Sequence, residues 1–462
     1  MIDWERVVSG GLRASSYCVR KGMSRKAQLS RYCNKYTSKR PGTPLKAALP
    51  RTLVIDTWEA FDDDMTFNLG GDIAAFGSDM GVRQSVSLAT RLDWCLGDAR
   101  EWVEEEQSKE EESSDADASG VATGAEPAAR SEKVEGSMET EEDTELGMNR
   151  GDSRYGEGAS DSGRPGRRRR RRRWILKPST LNKGAGLTLG EGFEPLRKAI
   201  HESPDIREWV LQEYVARPLL VEGRKFHLRV YVLAVGCIQV YLYGDVLLLR
   251  ASKQYPTAAG EGGDANGTGG AFGDGDPLAH ITNTARQAED ETFVEEDNVW
   301  LLEDLVGELK RQGLGPEEAR AKVDGIASDV RVLTTELFRA FRGEFTVFSP
   351  LPGCFEHFGL DFMVDQDFHV WLLEANPGPD FKQTGSRLKN VVGGLMEGTM
   401  RICLDRAGDG EFAEQSTEVG GGTGQETGGE SRGAVRAAGT GFCCLLDEQW
   451  RGTAAAPSMK ML

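Results

Sequence analysis

Basic residues are in deficit. The 462-residue chain has 56 Lys and Arg against 74 Asp and Glu, a net charge of −18 and an isoelectric point near 5.0. That balance does not favour a general nucleic-acid-binding role, which needs a basic surface. The eight cysteines show no CxxC or CxxH spacing, and the adjacent Cys443 and Cys444 are not a usual metal pair. A reduced, intracellular compartment is the simplest reading. No GxxxxGK[ST] loop and no strand–GxGxxG–helix pattern occurs, so neither common phosphate-cradling loop is present. The opening MIDWERVVSG lacks the apolar stretch of a secretory signal. The most apolar run, Val230 to Leu249, is broken by Gln239 and by Gly244-Asp245. Its β-branched and aromatic residues fit buried strands joined by turns, not a membrane span. There is no internal repeat.

What is present falls into blocks. Residues 1–100 have globular composition, and ALPRTLVIDTWEAF reads as a buried strand entered through Pro50. Residues 101–173 read as a disordered acidic linker: positions 101–161 hold 20 Asp or Glu against 5 Lys or Arg, with almost no large apolar groups to offset the entropy of ordering. The linker ends in seven arginines, Arg167 to Arg173. These have three readings that composition leaves open: a solvated linker, a nuclear-localisation patch that would permit nuclear entry, or a tether for an acidic tail. Residues 174–404 form the core, with strands at WILKPST, WVLQEYV, RKFHLRVYVLAV and IQVYLYGDVLLLRAS, and a helix around 195–202. A flexible glycine-rich insert follows at about 256–277. Residues 295–345 carry helical spacing, as in Val299, Leu302, Leu305, Val306 and Leu309. Two strands around DQD and a helix near 386–404 close the core. Residues 405–462 read as a Gly-rich, mostly disordered tail. The fold class is α+β with long inserts.

Three clusters carry chemistry. In FGLDFMVDQDFHVWLLEANPGPD (358–380), alternation puts Val370, Leu372, Glu374 and Asn376 on one strand face, and an even-numbered turn at DQD would add Asp361 to it. Two carboxylates held close repel unless a cation sits between them, and oxygen donors of this kind suit Mg²⁺ shared with substrate phosphates. A strand end dipping its polar tip into solvent is the plain alternative. The second cluster is Lys177 at a strand end, followed by Lys183, Gly184, Ala185 and Gly186, which could offer a point charge and backbone N–H groups to phosphate. An ordinary turn is the commoner explanation of such a glycine pair. The third is RKFHLRVYV, where Lys225, His227, Arg229 and Tyr231 alternate with Phe226, Leu228, Val230 and Val232. Those cations either line a site with the carboxylates or edge the solvent. The lone His201 and His357 read as surface or core residues.

In order, SRKAQL (24–29), WILKPSTLNKGAGL (174–187), LQEYVARPLLVEGRKFHLRVYVL (211–233), HITN (280–283) and FEHFGLDFMVDQDFHVWLLEANPGPDF (355–381) resemble the tubulin–tyrosine ligase family, whose catalytic core is an ATP-grasp fold. RKFHxR together with PDFKQTG (379–385) looks most like a divergent branch known from fungi and other microbial eukaryotes. The resemblance implies ATP and Mg²⁺ as cofactors. Lys26, Lys177 and Lys225 would contact nucleotide phosphates, with the loop at Lys183, Gly184 and Gly186 closing over them. Gln212, Glu213, Tyr214 and Val215 would be the hinge holding adenine, and His280 to Asn283 would lie along the nucleotide. Asp361, Glu374 and Asn376 would coordinate Mg²⁺, and Arg229 would meet the acceptor or the transferred phosphoryl group. Catalysis would rest on Arg229, Glu374 and Lys225. The family usually has Asp where His227 stands, placing His227 beside ribose or acceptor. It usually has Arg where Leu249 stands, whereas here Arg250 is displaced by one and so points to the other strand face. The region before SRKAQL is shorter than the family's. The implied reaction joins an amino acid to a protein carboxylate, tubulin's tail most simply, in the cytoplasm or on the cytoskeleton, with no membrane or nucleic-acid partner.

Overall fold

The computed structural model describes residues 2–61, 87–119, 172–181, 184–256, 276–288, 290–291, 293–379, 381, 386–405, 435–437 and 439–448. Most of the acidic linker, Arg167 to Arg171, Lys183, most of the 256–277 insert and most of the tail lie outside these residues.

Two antiparallel sheets organise them. The smaller holds β1 (Thr52–Asp56), β2 (Arg173–Pro178), β3 (Thr188–Glu191) and β4 (Glu208–Glu213), in the order β1-β4-β2-β3. The larger has nine strands. They are β5 (Leu220–Val221), β6 (Arg224–Val235), β7 (Gln239–Tyr243), β8 (Leu247–Arg250), β9 (Val299–Leu301), β10 (Phe355–Val364), β11 (Val370–Pro377), β12 (Val435–Ala437) and β13 (Phe442–Asp447). Its spine is β6, flanked by β8 and β7 along one edge and by β10 along the other, with β11 outside β10.

The alternation in RKFHLRVYVLAV decides what β6 covers. Phe226, Leu228, Val230, Val232 and Ala234 enter the main core with Phe338, Phe348, Phe358 and the helix Pro316–Ala340. Tyr231 and Leu233 face the other way, onto Leu388, Val391 and Leu395 of the helix Ser386–Asp405. Lys225, His227 and Arg229 share that second face but lie beyond the helix's cover, at the end nearer the small sheet. The helix Lys26–Lys39 and β1, both from the amino-terminal region, join the two sheets: β1 pairs with β4, and Ser179, just past β2, takes N–H bonds from Lys26 and Ala27. Arg250 does turn to the face opposite Leu249, bonding Glu222 and stacking 4.2 Å from the Trp300 ring.

Three segments depart from the expectation. Residues 101–119, expected to be disordered, belong to the helix Gly97–Ser119. Leu96, Ala99 and Val103 recur at helical spacing and bury against Trp174 and Leu176, with the Trp102 ring tilted against Trp174 at 4.7 Å. One apolar stripe suffices to dock an otherwise acidic helix. Val299, expected to be helical, starts β9, whose pairing with β8 overrides its spacing. Residues 442–447, expected to be largely disordered tail, form β13, which pairs with β7 and drops Phe442 against Tyr243 at 5.1 Å. No helix among the described residues is long and apolar enough to cross a membrane.

Candidate functional site

The two carboxylates meet by a route that strict alternation misses. Val364 and Val370 pair across a five-residue connection, Asp365 to His369. Asp365 organises this turn, accepting N–H bonds from Asp367 at 3.0 Å and His369 at 2.9 Å. With an odd-numbered turn and unbroken alternation, Glu374 would face away from Asp361. Instead Phe362 pairs with Leu372 and Asp361 with Glu374, so Leu373 is a bulge. The extra residue reverses the faces. Val370, Leu372 and Ala375 go into the main core, while Glu374 and Asn376 turn to Asp361. The expectation that Val370 and Leu372 share Glu374's face is therefore corrected, and Asp361 still opposes Glu374.

Asp361 is buried and fully engaged. Arg229 Nε donates to its Oδ1 at 2.5 Å and Nη2 to its Oδ2 at 3.0 Å, the bidentate fork of a strong pair. Gly359 permits this approach, because a Cβ there would lie 3.1 Å from Arg229 Cδ. Asn376 Nδ2 donates to Asp361 Oδ2 at 3.2 Å and to Glu374 Oε1 at 2.9 Å, bridging both acids. Lys26 Nζ stands 3.7 Å from Glu374 Oε2 and donates to the Leu181 carbonyl at 2.8 Å. The pair is driven apart electrostatically. Burial pushes Asp361 up to about 7, with Arg229 opposing and Glu374 adding to the rise. Burial also works against ionised Glu374, but Lys26, the Asn376 bond and Lys177 outweigh it and hold Glu374 down to about 2.

The remaining predicted residues close around these. Lys177 donates to Gln212 Oε1 at 2.7 Å, and Gln212 Nε2 donates to Thr52 at 3.1 Å. Burial, reinforced by Lys26, lowers Lys177 to about 8. Lys225 donates to the Tyr214 hydroxyl at 2.8 Å, which lies 2.9 Å from His280 Nδ1. Burial lowers Lys225 well below the usual lysine range. His227 Nδ1 sits 2.6 Å from Thr282 Oγ1, and burial and Arg229 push it down to about 3, so it is neutral. Gly184 and Gly186 have φ of +73° and +68°. A Cβ on Gly186 would lie 2.8 Å from Pro178, so the loop runs tight against the end of β2. Lys183 lies outside the described residues.

Some predicted residues sit elsewhere in the network than expected. The N–H groups of Glu213 and Tyr214 are taken by the carbonyls of Arg51 and Arg173, making Val215 the first hinge residue past the ladder. Asn283 caps the short helix Thr284–Gln287 through Ala285 N at 3.0 Å. Among the described residues no hydrogen bond joins it to the carboxylates. Arg229, expected to meet the acceptor or the phosphoryl group, turns Nε and Nη2 to Asp361 here. Sequence reasoning missed Thr52, Ser179 and the pairing of His227 with Thr282. Only the last had a signal, in HITN.

Among the described residues no group of three or more His, Cys, Asp or Glu could hold a metal ion. The donor set here is two carboxylates and an amide, the chemistry a hard cation selects. The residues fit Mg²⁺ on one condition: Arg229 and the Asn376 amide nitrogen, which hold the Asp361 and Glu374 oxygens here, must release them to the cation.

Comparison with known proteins gives these residues a context. Residues 160–409, over half of the chain, match the sequence model of the Tubulin-tyrosine ligase family. The chain is 30% identical over 281 residues to the Probable tubulin–tyrosine ligase PBY1 of Saccharomyces cerevisiae, covering 50% of this chain and 33% of that protein. It is 31% identical over 264 residues to the Probable tubulin–tyrosine ligase C12B10.04 of Schizosaccharomyces pombe, covering 50% of this chain and 58% of that protein. It thus spans a third to somewhat over half of these curated relatives. A crystal structure of the C-terminal domain from K. lactis Pby1, an ATP-grasp enzyme interacting with the mRNA decapping enzyme Dcp2, superposes with a TM-score of 0.52 at 22% identity, covering 97% of this chain and 85% of that one. The two share the ATP-grasp fold.

Proposed function

From the premise that the chain belongs to the tubulin–tyrosine ligase family, we propose that it is an ATP-dependent carboxylate–amine ligase joining an amino acid to a protein carboxylate. One observation supports this most: the bulge at Leu373 brings Glu374 onto Asp361, within 3.7 Å of Lys26 and on the side of the sheet that carries Lys225 and Arg229. In this reading Lys26, Lys177 and Lys225 bind the triphosphate, each leaving a neutral or carbonyl partner it now holds. Asp361, Glu374 and Asn376 would hold Mg²⁺, which when bound would neutralise phosphate charge. The acceptor carboxylate takes the γ-phosphoryl group as the bond to the bridging oxygen breaks, giving an acylphosphate and ADP. The amine of an amino acid then attacks the carbonyl, loses a proton, and phosphate leaves. The glycine loop excludes water that would hydrolyse the acylphosphate. The names of the yeast relatives favour tubulin as acceptor; a cytoplasmic location is part of the proposal and rests on no comparison. The decapping-enzyme partner of the K. lactis protein makes a protein of that kind the next acceptor to try.

The test is incubation with Mg²⁺-ATP, purified tubulin and labelled amino acids one at a time, with mass spectrometry of the tubulin tails. A mass gain dependent on ATP and on Glu374 is expected. Stoichiometric Mg²⁺-ATP binding with no gain on any acceptor would favour a second reading, a nucleotide-binding protein without ligation. The bidentate hold of Arg229 on Asp361 is the observation that favours it.

A further inference from the structure

At the far end of the helix Lys26–Lys39 lies a concavity of about 400 Å³, lined by none of the residues of the cluster just described. Five cations line it, Lys35, Lys39, Arg40, Arg339 and Arg342, against two carboxylates, Glu344 and Glu448. The chain as a whole has the opposite balance, at −18. Both carboxylates are already engaged: Glu344 by Lys35 at 2.6 Å, and Glu448 by Arg342 at 3.1 Å and Arg339 at 3.7 Å. Lys39 and Arg40 are exposed, and among the described residues neither pairs with a carboxylate. Arg40 donates to the neutral Tyr36 hydroxyl at 3.1 Å and lies 5.0 Å from that ring, while Lys35 lies 5.5 Å from the Tyr32 ring. Lys35, Arg339 and Arg342 are thus spent on carboxylates, Arg339 also on Glu336 at 3.1 Å, and the two half-buried tyrosines with Lys39 and Arg40 leave a recess with flat walls and two charged donors to spare. That combination fits carboxylate side chains on a flexible backbone.

We propose that this concavity docks an acidic peptide segment. A second step rests on the ligase reading. Lys26 at one end of the helix lies at the candidate active site, and a fourteen-residue helix separates its ends by roughly 20 Å at about 1.5 Å per residue. Lys35 and Lys39 lie about half a turn round that helix from Lys26, at roughly 100° per residue, so a peptide joining the two must pass round it and needs more than the roughly six extended residues the axial rise alone would take. The recess would therefore hold an acidic stretch of the acceptor well removed in sequence from the carboxylate being modified, and so select which carboxylate reacts.

The test uses the full chain and a fluorescein-labelled twelve-residue peptide of alternating Glu and Gly, read by fluorescence polarisation. The Lys39→Glu/Arg40→Glu variant should bind it at least tenfold more weakly than the unaltered chain, with the same melting temperature and the same affinity for a fluorescent ATP analogue. Lys26→Ala should retain the peptide. Any of four results would overturn the proposal: no binding to the unaltered chain, equal affinity in the double variant, equal binding of a Gln/Gly peptide, or tighter binding of a twelve-nucleotide single-stranded RNA through the same residues. Failure of the unaltered chain to bind the ATP analogue would remove the ligase reading and leave the docking site standing, so the two failures are distinguishable.

Discussion

One face of β6 is divided in two. At its far end Tyr231 and Leu233 pack on the helix Ser386–Asp405 in an ordinary apolar layer. At its near end Lys225, His227 and Arg229 are as deeply buried, at 2%, 5% and 9% exposure, yet carry charge or hydrogen-bonding groups. Nothing in strand geometry distinguishes the two halves. Burying ionisable groups disfavours the fold unless each is paired, and the near half spends Asp361, Tyr214 and Thr282 on that pairing. The far half contributes to stability, and the near half keeps its arrangement at stability's expense. That division marks a site.

The largest expected effect breaks the near half alone. Glu374→Gln should lower ligation by roughly 10²–10³, the scale of one electrostatic contact at a reacting centre. The fold should persist, but the melting temperature should fall, because the contacts that hold Glu374 down to about 2 stabilise the protein at neutral pH and Gln loses them. Near-normal ATP-dependent ligation would take Glu374 out of the metal site. Leu233→Ala is the reciprocal change. With no exposed surface to relax into, it should destabilise by about 2–5 kcal/mol in denaturant unfolding while leaving nucleotide affinity intact. Equal loss of both properties in either variant would erase the distinction.

Lys177 gives the comparison a sign. Its folded pKa is lowered, mainly by burial, to about 8. The unfolded chain thus holds the proton more tightly, and stability rises with pH between that value and the ordinary lysine value. Below it the cost is present in full. Lys177→Met should stabilise the nucleotide-free protein at neutral pH by up to about 3 kcal/mol, an upper bound set by the shift at about 1.4 kcal/mol per unit. The gain should shrink as pH rises through that window, and nucleotide binding should be lost. A destabilised Lys177→Met variant at neutral pH would mean that the Gln212 bond outweighs burial.

How much of this was legible depends on whether a period ran unbroken. RKFHLRVYVLAV keeps period two for twelve residues, so its two faces could be read directly. In the hairpin the parity of the DQD turn is not written in side-chain type, and the bulge at Leu373 offsets it by one residue. Asp361 could be placed opposite Glu374 only conditionally. The helix Gly97–Ser119 was hidden by averaging, since of its docking residues only Trp102 and Val103 lie within the acidic stretch from 101 on, too few to move its composition. The choice of Arg229 as partner for Asp361 joins residues 132 apart, a distance at which only the sheet register decides.

The smallest predicted effect concerns His227. Burial pushes it down to about 3, and His280 and His357 to about 4 each, so all three are neutral when folded and protonate on unfolding below the ordinary histidine value. A depressed histidine pKa makes the unfolded chain the greater proton binder, so stability falls as pH drops below that value. His227→Gln removes one of the three. At neutral pH it should be modestly destabilised, because the Thr282 bond is lost or made less well, at about 1 kcal/mol. By about pH 6 the unaltered chain should have given up about 1 kcal/mol at this position, and the gap should close. Above the carboxylate range the variant should therefore show a shallower acid slope than the unaltered chain. An unchanged slope would mean that His227 reaches solvent in the folded state, and the near half of β6 would then be less enclosed than its hydrogen bonds indicate.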